Sequence, residues 1–193
     1  MNVLVACECS GIVRDAFIAE GHNAWSCDLK PTRRPGPHYQ GDVRDVLYRQ
    51  WDLLIAHPTC TYLCNSGVRW LSEQQGRWEL MLKGVEFFLL FERATHIPLR
   101  AIENPIMHCH AVSRIGRVAT QFVQPWWFGD PYSKATGWWL TGLPLLKATH
   151  KKSDYPEIKQ ECHRMPPGPV RDELRSNTYP GHAKALAKQW GVL

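Results

Sequence analysis

Cys60 stands where an apolar run stops. Trp51–Ala56 reads as a compact strand, and His57-Pro58-Thr59 breaks it, which predicts a thiol on a tight, exposed loop. A thiol so placed attacks carbon once its pKa falls or a base takes its proton. A buried structural cysteine is the commoner fate of the residue type. Leu99–Ile102 reads as another strand, stopped by Glu103-Asn104-Pro105. A carboxyl at a half-buried strand end has a raised pKa and donates a proton near neutral pH; the plainer role is an ion pair or a cap. A thiol beside a proton-donating acid is equipped for conjugate addition to a pyrimidine ring. The thiolate attacks carbon 6, the acid protonates N3, and carbon 5 becomes nucleophilic.

Three more strand ends carry groups suited to a nucleoside-containing ligand. The turn Cys7-Glu8-Cys9-Ser10-Gly11 follows a first strand and opens a helix. Glycine lets backbone approach a ligand closely, and a helix N-terminus offers free N–H groups. Asp28 ends a second strand, where an acid commonly binds ribose hydroxyls; alone, it would read as a turn residue before Pro31. Asp42, in Gly41-Asp42-Val43, is a second acid at a third strand end.

The elements that must position these groups alternate. Asn2–Cys7 reads as strand one. Ser10 fits an N-cap, with Ile12, Val13, Ala16 and Phe17 at helical spacing and Gly21 as C-cap. His22–Cys27 reads as strand two, and residues 31–37 as a proline-rich loop. Ser72 and Gln75 have capping-box spacing, which predicts a helix to about Arg93 with Trp78, Met81, Leu82, Val85, Phe88 and Leu89 on one face. A short helix near Ala111–Gly116, strands near Ala119–Val123 and Thr136–Leu140, and a closing helix over Gly181–Trp190 follow. Alternation predicts an α/β fold of Rossmann-like type, a mostly parallel sheet with helices on both faces. Ligands then sit beyond the carboxyl ends of the strands, where the polar residues fall.

The chain has 193 residues, 44% hydrophobic and 21% charged, which fits one soluble domain over 1–193. No apolar run approaches the ~18 residues that cross a bilayer, so no membrane partner is expected. The N-terminus reads as a strand, not a signal peptide, and a cytoplasmic setting is expected. Seven cysteines without a secretion signal argue against a disulfide framework. A net charge of +5, concentrated at 30–34, 147–152 and 164–188, suits a polyanion partner or a solvated surface about equally. Of nine tryptophans, the neighbours Trp138 and Trp139 must face opposite ways on a strand.

The succession Cys9-Ser10-Gly11-Ile12, Trp25-Ser26-Cys27-Asp28, Gly41-Asp42-Val43, Asp52 to Cys60 and Ile102-Glu103-Asn104-Pro105 resembles the ordered motifs of DNA cytosine-C5 methyltransferases. Asn177-Thr178-Tyr179-Pro180-Gly181 resembles that family's closing motif, which packs back onto the cofactor site. The resemblance implies the family's sheet order and a methyltransferase using S-adenosylmethionine. It implies that Glu8, Ser10, Gly11, Asp28, Asp42 and Pro58 bind the cofactor. It further implies that Cys60 is the nucleophile, that Glu103 protonates the ring and that Asn104 orders the site. The chain departs from the family in three places. Pro58-Thr59-Cys60-Thr61 replaces Pro-Pro-Cys-Gln. The Gln-x-Arg-x-Arg segment has no clean counterpart, and Lys134 is the stand-in for its arginine. A target-recognition domain does not fit between Lys134 and Tyr179, where 143–178 is a basic, loop-rich segment. DNA binding of limited sequence specificity, an accessory DNA-recognition protein and a phage-like setting are the corresponding expectations. A base must also leave the stack to be reached, and Trp126, Trp127 and Phe128 are candidates to fill the gap or stack on it, or simply core aromatics.

Other readings use the same residues. Cys60-x3-Cys64, His108-Cys109-His110 and Cys162-His163 offer soft metal ligands at no standard spacing, and no metal is expected. The thiol chemistry also suits RNA or free nucleotides, or another one-carbon donor giving a hydroxymethyl product. A fold that only binds DNA without catalysis is the last alternative.

Overall fold

The structure is a computed structural model that describes residues 1–160, 168 and 175–193. Its frame is a seven-stranded sheet of order β3-β2-β1-β4-β5-β7-β6. The strands are β1 (Asn2–Ala6), β2 (Asn23–Asp28), β3 (His38–Gln40), β4 (Leu53–Ala56), β5 (Leu99–Asn104), β6 (Gln121–Val123) and β7 (Thr136–Thr141). β1 to β5 pair in parallel, and β7 runs antiparallel between β5 and β6. The Rossmann-like α/β class is thus present, with five parallel strands ending on one edge.

Central strands buried on both faces need continuous apolar sequence. Val3-Leu4-Val5-Ala6 and Leu53-Leu54-Ile55-Ala56 supply it, all at most 1% exposed. Strand alternation divides them between two cores. Leu4, Leu54, Ile102 and Trp139 face α4 (Arg77–Glu92) through Met81, Val85, Phe88 and Phe91. Val5, Ile55, Ala101 and Trp138 face α1 (Ile12–Ala19) and α6 (Pro180–Trp190) through Val13, Phe17, Leu186 and Trp190. Trp138 and Trp139 therefore do point to opposite layers. Full burial of a side chain the size of Phe88 contributes roughly 1.5–3 kcal/mol, so these two layers dominate the hydrophobic stabilisation.

Several local expectations need correction. The helix at 70–93 does not begin at a Ser72–Gln75 box. Ser72 bonds back to Arg69 inside the one-turn helix α3 (Trp70–Glu73), and α4 starts after Gly76, whose φ of 75° suits glycine. Its buried face runs through Phe91; Trp78 and Leu82 are 40% and 44% exposed. A further one-turn helix, α2 (Arg44–Leu47), follows Gly41-Asp42-Val43. In α5 (Cys109–Ile115), His108 is the N-cap: its Nδ1 accepts the Ala111 N–H at 3.1 Å, leaving Nε2–H for the Tyr62 carbonyl at 3.0 Å. Trp126, Trp127 and Phe128 lie in the 3-10 turn Pro125–Phe128, and Phe128 is buried in the core. No helix among the described residues is long and apolar enough to cross a membrane.

Candidate active site

Parallel pairing carries the predicted residues to one rim. The turn after β1 is tight: Cys7 has φ 60° and Gly11 φ 73°. A Cβ on Gly11 would stand 2.5 Å from the Arg14 guanidinium, so only glycine fits. The N–H groups that open α1 are not free, contrary to the expectation from sequence. The Glu8 carboxylate, 6% exposed, accepts the Val13 N–H at 2.7 Å, the Arg14 N–H at 3.3 Å and the Ser10 hydroxyl at 2.8 Å. Ser10 Oγ accepts the Ile12 N–H at 3.2 Å. Glu8 and Ser10 thus satisfy the helix end and oppose its positive pole.

Arg14 is fully buried and bonds Ser26, Asp15 and the carbonyls of Arg34 and Pro35, fixing the loop between β2 and β3. Asp28 uses Oδ1 to accept the Lys30 N–H at 2.9 Å, and its second oxygen has no partner among the described residues. Asp42 is committed to α2: it accepts the Arg44 N–H at 2.9 Å and pairs with its guanidinium at 2.9 Å. The Arg44 N–H bond and the guanidinium, against slight burial, hold its carboxyl below the ordinary range. Cys7 lies between these acids; burial first, then Asp28, Cys27 and Asp42, push its thiol up.

At the next two strand ends the reactive residues meet. Cys60 is half-buried, not exposed, and the backbone N–H of Cys64 bonds its carbonyl at 3.0 Å, placing the two thiols one turn apart. The neighbouring Cys64 thiol, burial and the Glu103 charge all push the Cys60 thiol up. Cys64 is pulled down by its closeness to Cys60 and by Ser66, whose hydroxyl is 3.1 Å from its sulfur. Asn104 is fully buried and donates Nδ2–H to the Pro58 carbonyl at 3.2 Å, tying the end of β5 to the Cys60 loop. Pro58 itself is buried.

Glu103 is not the raised acid expected. Burial alone would raise it, but the His57 hydrogen bond and the nearby Lys134 charge leave it net below the ordinary value. His57 Nδ1 is 3.4 Å from Glu103 Oε2. Lys134 lines a small pocket with Glu103, Trp138, Tyr179 and His182, and its Nζ donates to the carbonyls of Arg175 and Asn177. The closing segment therefore does pack back on the rim. Asn177 also accepts from Arg33, and a Cβ on Gly181 would sit 2.2 Å from the Phe128 carbonyl.

Cys60, Glu103, Asn104, Pro58 and Lys134 thus form one cluster. Glu8, Ser10, Gly11, Asp28 and Asp42 lie along the same rim over β1 to β3, with Glu8 and Asp42 spent on helix ends. His57, Arg14 and His182 were missed, and Cys64 was named only as a possible metal ligand. His57 borders the predicted cysteine, and its ring was the available signal. Among the described residues no three candidate ligands gather for a metal ion; the Cys162-His163 pair lies outside them.

No family model and no curated protein matches the sequence. Solved structures do match. One is the Entamoeba histolytica methyltransferase EhMeth, 12% identical, with a TM-score of 0.49 over 75% of this chain and 53% of that chain. The chain spans about half the length of that structure.

Proposed function

We propose that this chain is an S-adenosylmethionine-dependent methyltransferase of the cytosine-C5 type, acting on DNA with little sequence preference. One observation carries the reading: β4 and β5 pair in parallel, and the Asn104 amide bonds the Pro58 carbonyl at 3.2 Å, which sets the Cys60 loop beside Glu103. That is the pairing that addition to a pyrimidine requires. The sheet order and the return of the closing segment onto Lys134 agree with the family that the motifs resemble.

The rim suits the cofactor. Asp28 keeps one carboxylate oxygen for a ribose hydroxyl, Leu29 beside it is 74% exposed, and the Ser10-Gly11 turn admits close approach. The cofactor supplies the one-carbon group. Cys60 yields its proton to the neighbouring Cys64 sulfur, and its thiolate bonds carbon 6. Glu103 delivers a proton to N3, and carbon 5 takes the methyl group. Water then takes the carbon-5 proton, the C–S bond breaks to release the Cys60 thiolate, and Cys60 recovers its proton from Cys64. Asn104, through Pro58, keeps the thiol loop against β5. A net charge of +5 suits phosphate contacts, which carry no sequence information.

The test is mass spectrometry of nucleosides digested from the DNA of cells expressing this chain, beside a Cys60→Ser control. A Cys60-dependent 5-methylcytosine signal is expected. A Cys60-dependent heavier cytosine would keep the thiol mechanism and replace the donor. No modified cytosine at all would overturn the reading.

A further inference from the structure

The proton that Glu103 must give has no evident source, because the carboxyl rests ionised among cationic and polar neighbours. Resting on the function proposed above, we propose that His57 is the proton partner of Glu103: one mobile proton is shared between His57 Nδ1 and the Glu103 carboxyl and passes through Glu103 to the pyrimidine ring.

Three observations carry this. His57 Nδ1 meets Glu103 Oε2 at 3.4 Å, a contact across 46 residues of sequence that joins the ends of β4 and β5. The side chains are 9% and 17% exposed, so water competes poorly for the proton. The other ring nitrogen, Nε2, is buried with no partner among the described residues. The Glu103 contact is therefore the ring's hydrogen bond, and Trp138, edge-on at 6.0 Å, packs against it. The groups that face the pair are Lys134 ahead of β7, His182 on α6 and Cys60 on the loop. Burial above all keeps His182 neutral, and Lys134 is occupied by two carbonyls, so neither is placed to give up a proton as His57 is.

The step balances. As the Cys60 sulfur bonds carbon 6, the ring's electrons move to N3. N3 takes the proton from Glu103, and Glu103 recovers one from Nδ1, whose electron pair stays on a neutral imidazole. Glu103 begins and ends as a carboxylate. The proton returns to His57 when the C–S bond breaks and N3 is released.

His57→Asn and His57→Phe separate this from a packing role. Asparagine can still donate to Glu103 but has no proton to release; phenylalanine does neither. Single-turnover cytosine modification is measured against pH for the wild type and both variants, with folding checked by thermal melts. The relay predicts a loss of roughly 100-fold or more for His57→Asn at neutral pH, with a residual rate that rises as pH falls and solution protonates Glu103. Recovery of the wild-type rate and profile by His57→Asn would overturn it. A second readout needs no activity: carbon-13 NMR titration of the Glu103 carboxyl, assigned with Glu103→Gln. The wild-type Glu103 and His57 signals should shift together, and the Glu103 midpoint should rise in His57→Phe. Independent titration, or an unmoved midpoint, overturns the pair whatever the enzyme does. Coupled titration without any modified cytosine would keep the pair and overturn the function.

Discussion

At the scale of the residue, the candidate nucleophile is defined by a neighbour four positions on. Cys64 beside it pushes the Cys60 thiol up and is itself pulled down. Removing the Cys64 thiol should therefore lower the pKa of Cys60. In Cys64→Ala the midpoint for iodoacetamide alkylation of Cys60, followed by peptide mass spectrometry, is expected to move to lower pH. An unmoved midpoint would mean that burial and Glu103 alone set it. Glu103 shows the converse. Position in the sequence pointed to a carboxyl at a strand end and so to a raised pKa. Its actual neighbours, His57 and Lys134, come from two separate segments and reverse the sign.

At the scale of the element, the turn from β1 into α1 depends on one buried carboxylate. Glu8 accepts three hydrogen bonds there, two from N–H groups that the helix cannot satisfy itself. Glu8→Ala strands those donors and is expected to cost about 1–3 kcal/mol, read as a lower midpoint in urea unfolding. Glu8→Gln keeps an acceptor and should cost less; equal losses would show that charge, not bonding, is what the turn needs. Much of this level was legible beforehand. The runs at 3–6 and 53–56 declare two-sided burial, and their breakers mark Cys60, Glu103 and Asn104 as residues of the rim. The one-turn helix α2 was not legible, because four residues carry no periodicity. The Ser72–Gln75 pattern misled because a capping box is a local signal, and Gly76 offered a better start for the long helix. His57 and His182 escaped notice because their partners are distant in sequence, and no spacing rule encodes such contacts.

At the scale of the whole molecule, His182 joins β7, the 3-10 turn and α6. Its ring stacks on Phe128 at 4.9 Å, and its Nε2 accepts the Trp138 indole N–H at 3.3 Å, which requires a neutral imidazole. Burial chiefly pulls its pKa down to about 3 from the ordinary 6.5. The unfolded chain takes up that proton as pH falls through about 6.5, while the folded chain refuses it until about 3. Stability is therefore expected to decline across that window, and His182→Gln should flatten the decline in chemical denaturation series at several pH values. An unchanged slope would assign the acid sensitivity to other groups. The same helix α6 lies over α1, so that Val13 and Phe17 are covered by Leu186 and Trp190. Helix α1 is thus covered by residues synthesised some 170 positions later, a pairing of high sequence separation that is slow to form. On the ribosome, the greasy side of α1 has no lid until residues near 190 have emerged. Until then the nascent chain presents chaperones with an open seam, and the two halves of the rim come into being together as it closes.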